Sequence, residues 1–533
     1  MRQNTRRGFL YGAAVLSAAT VIVKIFGFVY KIPIQNLLGP AASGYFTAAY
    51  DIFSTVFVLS TAGLPVAVSK LVSESEALGR PNQSLRVLRT ALWVFVILGA
   101  MGTLFLLFGA EFIARAGASE NIGASVRAVA PAMLLVCVAG AYRGFHQGHG
   151  DMTPTAVSQT LEAGIKAAGG VALAYAAVSM GASDEIKAAA AIGGVTLGSL
   201  GSAAYMLLAR RKARVKAPRV KKGADAQSSP VLKRLVGIAV PVTLSSVAIS
   251  LANLIDSMTI TARLRGGAGF TGASAEYYFG AYGYARTLAN LAPAFILAMS
   301  VSIVPAVAAA RARRERVTEE RIIASGLRLT ALLAAPAAAG LFFLPGPVLD
   351  LLYGKHSYAV EIAAPLLAVL GISTFFTCIV SVTNAMLQAR GRTVTPVVTM
   401  LLGAGLKVIL SMALVGKPEI NIMGAPVGTL ACYALIAALN MAALARGGAG
   451  RKFLGVFVRP VLAAAVMGMM TKGFYLLFGR VSAFAGGKAA TVASVLFGAV
   501  SYVVLAVLLR AFTKEDLSFF PKSEKISEFL HIY

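Results

Sequence analysis

Apolar stretches of helical length, separated by short polar breaks, follow one another along almost the whole chain. They fall at about 9–37, 45–69, 86–112, 124–146, 153–180, 187–210, 233–262, 277–309, 321–345, 358–388, 394–416, 421–445, 453–478 and 487–512. At ~1.5 Å rise per residue, about 20 apolar residues cross a bilayer, so each stretch is long enough to span. The apolar residues run continuously instead of alternating with polar ones, which argues against a membrane β-barrel. The pattern predicts an all-α, polytopic membrane protein with about fourteen transmembrane helices.

Composition agrees. Of 533 residues, 57% are hydrophobic and 13% charged, with mean hydropathy +0.75; soluble domains carry roughly 25% charged residues. The three cysteines, Cys137, Cys378 and Cys432, all lie inside apolar runs and read as small buried side chains, without disulfide or metal spacing. The N-terminal run lacks a small-residue cleavage site and is too long for a signal peptide, so a retained first span is expected.

The net charge of +27 changes the picture only through where the basic residues sit. Arg2, Arg6 and Arg7 precede the first span, and most lysines and arginines fall in every second loop after it. This is the asymmetry of a positive-inside topology, not of a nucleic-acid surface. It predicts that both termini and the linker near 210–234 are cytoplasmic. That linker holds the densest cluster, Arg210, Arg211, Lys212, Arg214, Lys216, Arg219, Lys221 and Lys222, and reads as a positive-inside anchor between two halves.

The halves repeat each other. Gln147-Gly148-His149-Gly150 and Ala163-Gly164-Ile165-Lys166 recur as Gln388-Ala389-Arg390-Gly391 and Ala404-Gly405-Leu406-Lys407; position 147 goes to 388, an offset of 241. Ser60 and Leu64-Pro65 return as Ser300 and Val304-Pro305 at nearly the same offset. Six spans separate the copies, so the repeats are parallel. The expected organisation is a six-helix lobe at 1–210, a basic linker at 211–232, a second six-helix lobe at 233–446, two additional helices at 447–512 lining a lipid-tail groove, and a cytoplasmic tail at 513–533.

A charge deep in a bilayer costs about 3 kcal/mol or more and marks a polar cavity or a functional site. Lys24 and Lys31 in the first span are seven residues apart and share a face. With Arg286 in span 8, whose planar fork suits phosphate, they form a candidate cationic cleft. Asp51 lies in span 2; Asp256, with Asn253 one turn before it, either pairs with a cleft cation or holds a coupling ion. Glu162 and Lys166, four apart on span 5, can neutralise each other, and they read either as structural or as gating charges. Lys407 matches Lys166 in the repeat, but Gly403 stands where the glutamate would be. Gly27 with Pro33, and Ala292-Pro293, are places at which spans can bend to allow rocking of the lobes. No nucleotide motif, metal spacing or nucleophile constellation appears, so the chain does not read as an enzyme.

Three motifs carry a resemblance: Lys24-Ile25-Phe26-Gly27-Phe28; Gly63-Leu64-Pro65-Val66-Ala67-Val68-Ser69-Lys70; and Arg143-Gly144-Phe145 with Gln147-Gly148 and Met152-Thr153-Pro154-Thr155-Ala156. With the six plus six plus two spans, they resemble the polysaccharide-transport branch of the MOP superfamily, most similar to its SpoVB and MurJ-type flippases. Tyr284-Ala285-Arg286 with Leu288 and Pro293 looks like the eighth-span motif of the MurJ type. Tyr30, Lys31 and Val58 depart from that type and place the chain nearer the SpoVB-like branch.

The resemblance implies a flippase that moves a polyprenyl-diphosphate-linked cell-wall precursor, lipid II foremost, from the inner to the outer leaflet of a bacterial plasma membrane. It implies no cofactor, with coupling to the membrane potential or a monovalent cation. Expected partners are the lipid-linked glycan, membrane lipids and the cell-wall synthesis machinery, with no nucleic acid. Two alternatives stay open. One is a flippase for another lipid-linked polysaccharide unit, which has the same cationic cleft; the other is a cation-coupled multidrug exporter, which requires an acidic one. A non-transporting scaffold has no use for deep charges.

Overall fold

The computed structural model describes residues 2–115, 120–216, 231–296, 307, 310–311, 313–392, 394–446, 450–478 and 487–511. Every long regular element among them is an α-helix: α1 Arg2–Thr61, α2 Leu64–Ala77, α3 Pro81–Ile113, α4 Gly123–Gly148, α5 Thr153–Ser179, α6 Asp184–Lys216, α7 Val231–Gly266, α8 Gly272–Ala289, α9 Arg316–Phe343, α10 Pro345–Tyr353, α11 Ser357–Ala389, α12 Val394–Val415, α13 Gly424–Ala445, α14 Gly450–Phe478 and α15 Lys488–Leu508. Eleven segments are long and apolar enough to cross a membrane. One of them, Ile25–Ala77, includes the kink at which the two helical arms of α1 join. The chain is therefore a multi-pass, all-α membrane protein.

The kink has a local cause. Gly39 takes φ 73° and ψ 175°, a backbone state open essentially to glycine alone, and Pro40 follows it. The bend thus falls at Gly39, while the backbone at Gly27 and Pro33 is helical. The run expected as one span at 45–69 also breaks: helix stops at Thr61 and restarts at Leu64, with Pro65 in the first turn of α2. The Gly63 N–H, outside either helix, donates to Thr243 Oγ1 at 3.1 Å. Near Ala292-Pro293 the helical run is interrupted at Asn290, and residues 291–296 are helical again.

The chain divides into two compact units. The first comprises Met1–Gly266 and Phe270–Gly280, so α7 and the start of α8 pack with α1 to α6. Its helices meet through small side chains: Ala130, Ala132, Ala139 and Ala141 of α4, Ala174 of α5 and Ala188 and Ala191 of α6 are fully or almost fully buried. Gly280 of α8 packs on Pro40, whose carbonyl leaves no room for a Cβ. In contrast, α3 turns Trp93, Met101, Phe105, Phe108 and Phe112 outward. Such an exposed apolar stripe has its natural solvent in lipid.

The second unit comprises Gly267–Gly269 and Ala281–Tyr533. There Leu329, Leu332 and Ala335 of α9 pack against Ala463, Ala464 and Met467 of α14 and Tyr502 and Ala506 of α15. Short α10, which lies between two expected spans, buries Tyr353, whose ring stacks on Tyr284 at 4.3 Å.

Candidate functional site

In the first unit, the charges of α5 do not pair with each other. Glu162 accepts from the Arg143 guanidinium of α4 at 2.7 Å, and Arg143 also donates to Ser158 Oγ at 2.9 Å and Ser202 Oγ at 2.7 Å. One planar fork thereby ties together α4, α5 and α6. The Glu162–Lys166 neutralisation that the spacing allows gives way to another pairing: Arg143 reaches Glu162 from the facing helix and takes the carboxylate. Lys166 instead sets its ammonium 5.9 Å from the centre of the Tyr30 ring, a cation–π contact with α1. Tyr30 is held in turn by its hydroxyl, which donates to the Ala191 carbonyl of α6 at 3.3 Å.

A second polar group joins α1 to α7. Asp51, 5% exposed, accepts from Ser257 Oγ at 2.8 Å. The same hydroxyl lies 3.2 Å from the Asn253 carbonyl, and Thr55 Oγ1 lies 2.8 Å from the Asp51 carbonyl and 3.0 Å from the Ser250 carbonyl. Asp256, the neighbour of Ser257, is 1% exposed. Asp51, Asn253 and Asp256 therefore belong to one helix pair, with the Asp51 carboxylate set among hydroxyl and carbonyl groups. Lys31 is half-buried on the first arm of α1. The Lys24 side chain lies outside the described residues.

In the second unit, Arg286 of α8 is half-buried, two residues after the stacked Tyr284. Lys407 of α12 is buried at 5% exposure. The same helix contributes to a network of neutral side chains: Thr399 Oγ1 donates to Asn440 Oδ1 at 2.8 Å, while Asn440 Nδ2 donates to Asn384 Oδ1 at 2.8 Å and to Thr383 Oγ1 at 3.1 Å. Position 143 plus the repeat offset is 384, and position 158 plus the offset is 399. The two units thus carry equivalent polar clusters, charged in the first and uncharged in the second.

The helix ends repeat as well. His149 at the end of α4 lies 3.2 Å from Glu76 of α2, and Arg390 at the end of α11 lies 2.5 Å from Glu319 of α9. Gly150 and Gly391, the next residues, turn with φ 79° and 78°. Arg143 was absent from the charges singled out from the sequence because it sits near a span end; its register with Asn384 was the signal that marks it. Among the described residues no cluster of His, Cys, Asp and Glu suits a metal ion, and the three cysteines are buried in α4, α11 and α13.

Helical architecture and charged groups set inside the spans are those of a multi-pass membrane protein built around internal polar sites. The model for the polysaccharide biosynthesis protein family matches residues 9–311, more than half of the chain, and the chain belongs to that family. The MatE model matches residues 241–413. Similar proteins of Bacillus subtilis (strain 168) include the uncharacterized membrane protein YabM, 28% identical over 97% of this chain and 96% of that protein. Stage V sporulation protein B is 24% identical over 97% and 98%. Lipid II flippase MurJ is 25% identical over 76% of this chain and 77% of its own length. A solved lipid II flippase MurJ in an inward closed conformation shares the fold at TM-score 0.70 with 14% identity, covering 93% of this chain and 99% of that one. The relatives named here with an activity, the lipid II flippases, are transporters and not enzymes.

Proposed function

We propose that the protein flips a polyprenyl-diphosphate-linked cell-wall precursor, lipid II, from the inner to the outer leaflet. The observation that carries this reading is the similarity to a lipid II flippase over three quarters of both chains, within a polysaccharide biosynthesis family. A diphosphate-sugar headgroup cannot cross hydrocarbon unaided, because its charges and hydroxyls lose water without replacement. Lys24, Lys31 and Arg286 are the groups assigned to the diphosphate, and Lys166 supports the same reading as a further cation on a spanning helix whose neighbouring carboxylate is already taken.

Energetically, moving about two negative charges outward across an inside-negative potential is favourable by roughly 4 to 5 kcal/mol per 100 mV. The reading requires no ATP site. In the orientation that fits it, both termini and the 210–234 segment are cytoplasmic, and reporter fusions at Gly223 and Tyr533 both register inside. The functional test is depletion of the protein in cells fed a labelled precursor. Lipid II accumulating on the inner leaflet supports the reading, while accumulation of a different polyprenyl-linked glycan reassigns the cargo.

A cation exporter is the second reading, favoured by the MatE match at 241–413 and by two buried carboxylates, Asp51 and Asp256, on one helix pair. It requires organic cations to bind better than diphosphates, since one cluster of charges cannot favour both signs.

A further inference from the structure

At one end of the first unit lies an open cavity of about 470 Å³, lined by Tyr45, Asn121, Arg265, Phe270, Gly272, Ala273 and Glu276. Its wall is assembled from the second arm of α1, the connection between α3 and α4, the end of α7, and the start of α8. We propose that this cavity is a carbohydrate site, taking a neutral pyranose ring by its hydroxyls and one ring face.

The chemistry of the wall selects that class. Glu276, buried at 5% exposure, accepts from Arg265 at 2.7 Å and from the Tyr45 hydroxyl, and Asn121 Nδ2 donates to the same hydroxyl at 3.0 Å. These bonds fix a guanidinium, an amide, a phenol and a carboxylate around one space before any ligand arrives. Among the described lining residues one cation and one anion cancel, so no net charge there favours a phosphate, and the carboxylate opposes it. An apolar guest fares no better, because it strips water from polar groups without replacing it. A sugar hydroxyl both donates and accepts, and so suits a wall in which donors and acceptors are mixed.

The ring face has its counterpart in Phe270. The chain turns at Gly269 with φ 75°, and the Phe270 N–H donates back to the Leu264 carbonyl at 3.0 Å. The Phe270 ring then sits edge-on to Tyr278, with centroids 4.9 Å apart, and is half-buried. An aromatic held this way offers a flat apolar surface at little entropic cost. The volume falls within the roughly 300–1,000 Å³ of small-molecule sites.

This inference stands apart from the flippase reading, since sugar binding here needs no particular cargo in the cationic cleft. The test uses the full-length protein in nanodiscs, with N,N′-diacetylchitobiose as probe and saturation-transfer NMR as readout. Saturable binding is expected, undisturbed by inorganic pyrophosphate, and weakened about fivefold to tenfold by Asn121→Ala and by Phe270→Leu. Unchanged melting temperatures for both variants show that the fold is intact. The same disaccharide linked to polyprenyl diphosphate then identifies the source. If it displaces the soluble sugar, the site receives the carried glycan; if it does not, the site takes a soluble glycan, and either result upholds the sugar chemistry. Absence of saturable binding, displacement by pyrophosphate, or equal affinity in both variants overturns the proposal.

Discussion

Arg143 and Asn384 occupy the same repeat position in two different units, yet one is the hub of an ion pair and the other a member of an amide network. Arg143 holds Glu162 at 2.7 Å, and Asn384 accepts from Asn440 at 2.8 Å. Both clusters tie together three helices of their unit through groups that would otherwise be left unsatisfied in a low-dielectric interior. The two knots share a repeat position and differ in chemistry.

Removing one partner of the charged knot should therefore cost more than removing both. Arg143→Ala leaves the Glu162 carboxylate without its guanidinium and should lower stability by about 3 kcal/mol. The Arg143→Ala/Glu162→Ala double variant should recover part of that loss. Thermal unfolding of the purified protein measures both, and additive losses would show that the pair is not coupled.

Lys166 is expected to behave differently. Its described contact is the Tyr30 ring at 5.9 Å, worth about 0.5–1 kcal/mol where exposed and more where desolvated. Lys166→Gln should leave the melting temperature nearly unchanged while reducing precursor flipping in proteoliposomes several-fold. Normal flipping at normal abundance would return Lys166 to a packing role.

For Asp51, a neutral isostere separates charge from shape. Asp51→Asn can still accept from Ser257 through its amide oxygen, so folding should be preserved. If Asp51 carries the response to a coupling ion, the dependence of transport on the membrane potential or on a monovalent cation should shrink in this variant. A proteoliposome assay with an imposed potential reads that change.

The kink offers a backbone test. Gly39→Ala places a Cβ in a conformation that costs on the order of 1–3 kcal/mol, and Gly280→Ala drives one into the Pro40 carbonyl. Both variants should show reduced abundance in the membrane, Gly280→Ala more severely, because backbone cannot yield as a side chain can. Quantitative immunoblotting of membranes provides the comparison.

Hydrophobic patterning made the helices legible because a bilayer enforces length and continuity more strictly than a soluble core does. Termini and pairings were less legible. The split of the second span at Ala62–Gly63 and the short α10 depend on tertiary contacts such as Gly63 to Thr243 and Tyr353 on Tyr284, which no local pattern contains. The Glu162–Lys166 pairing failed for a related reason: spacing along one helix says what can meet, and a facing helix decides what does. Asp51, Asn253 and Asp256 were recognisable one at a time as intramembrane polar residues, whereas their common placement on α1 and α7 emerges only from the fold.

The central claim is that cations in the spans serve an anionic lipid-linked cargo. Native mass spectrometry of the purified protein, offered lipid II, a different polyprenyl-diphosphate glycan and an organic cation, tests it most directly. The account predicts retention of the diphosphate lipids, with lipid II held best, and weakened binding in Lys24→Ala and again in Arg286→Ala. Preferential retention of the organic cation, undiminished by either substitution, would contradict it.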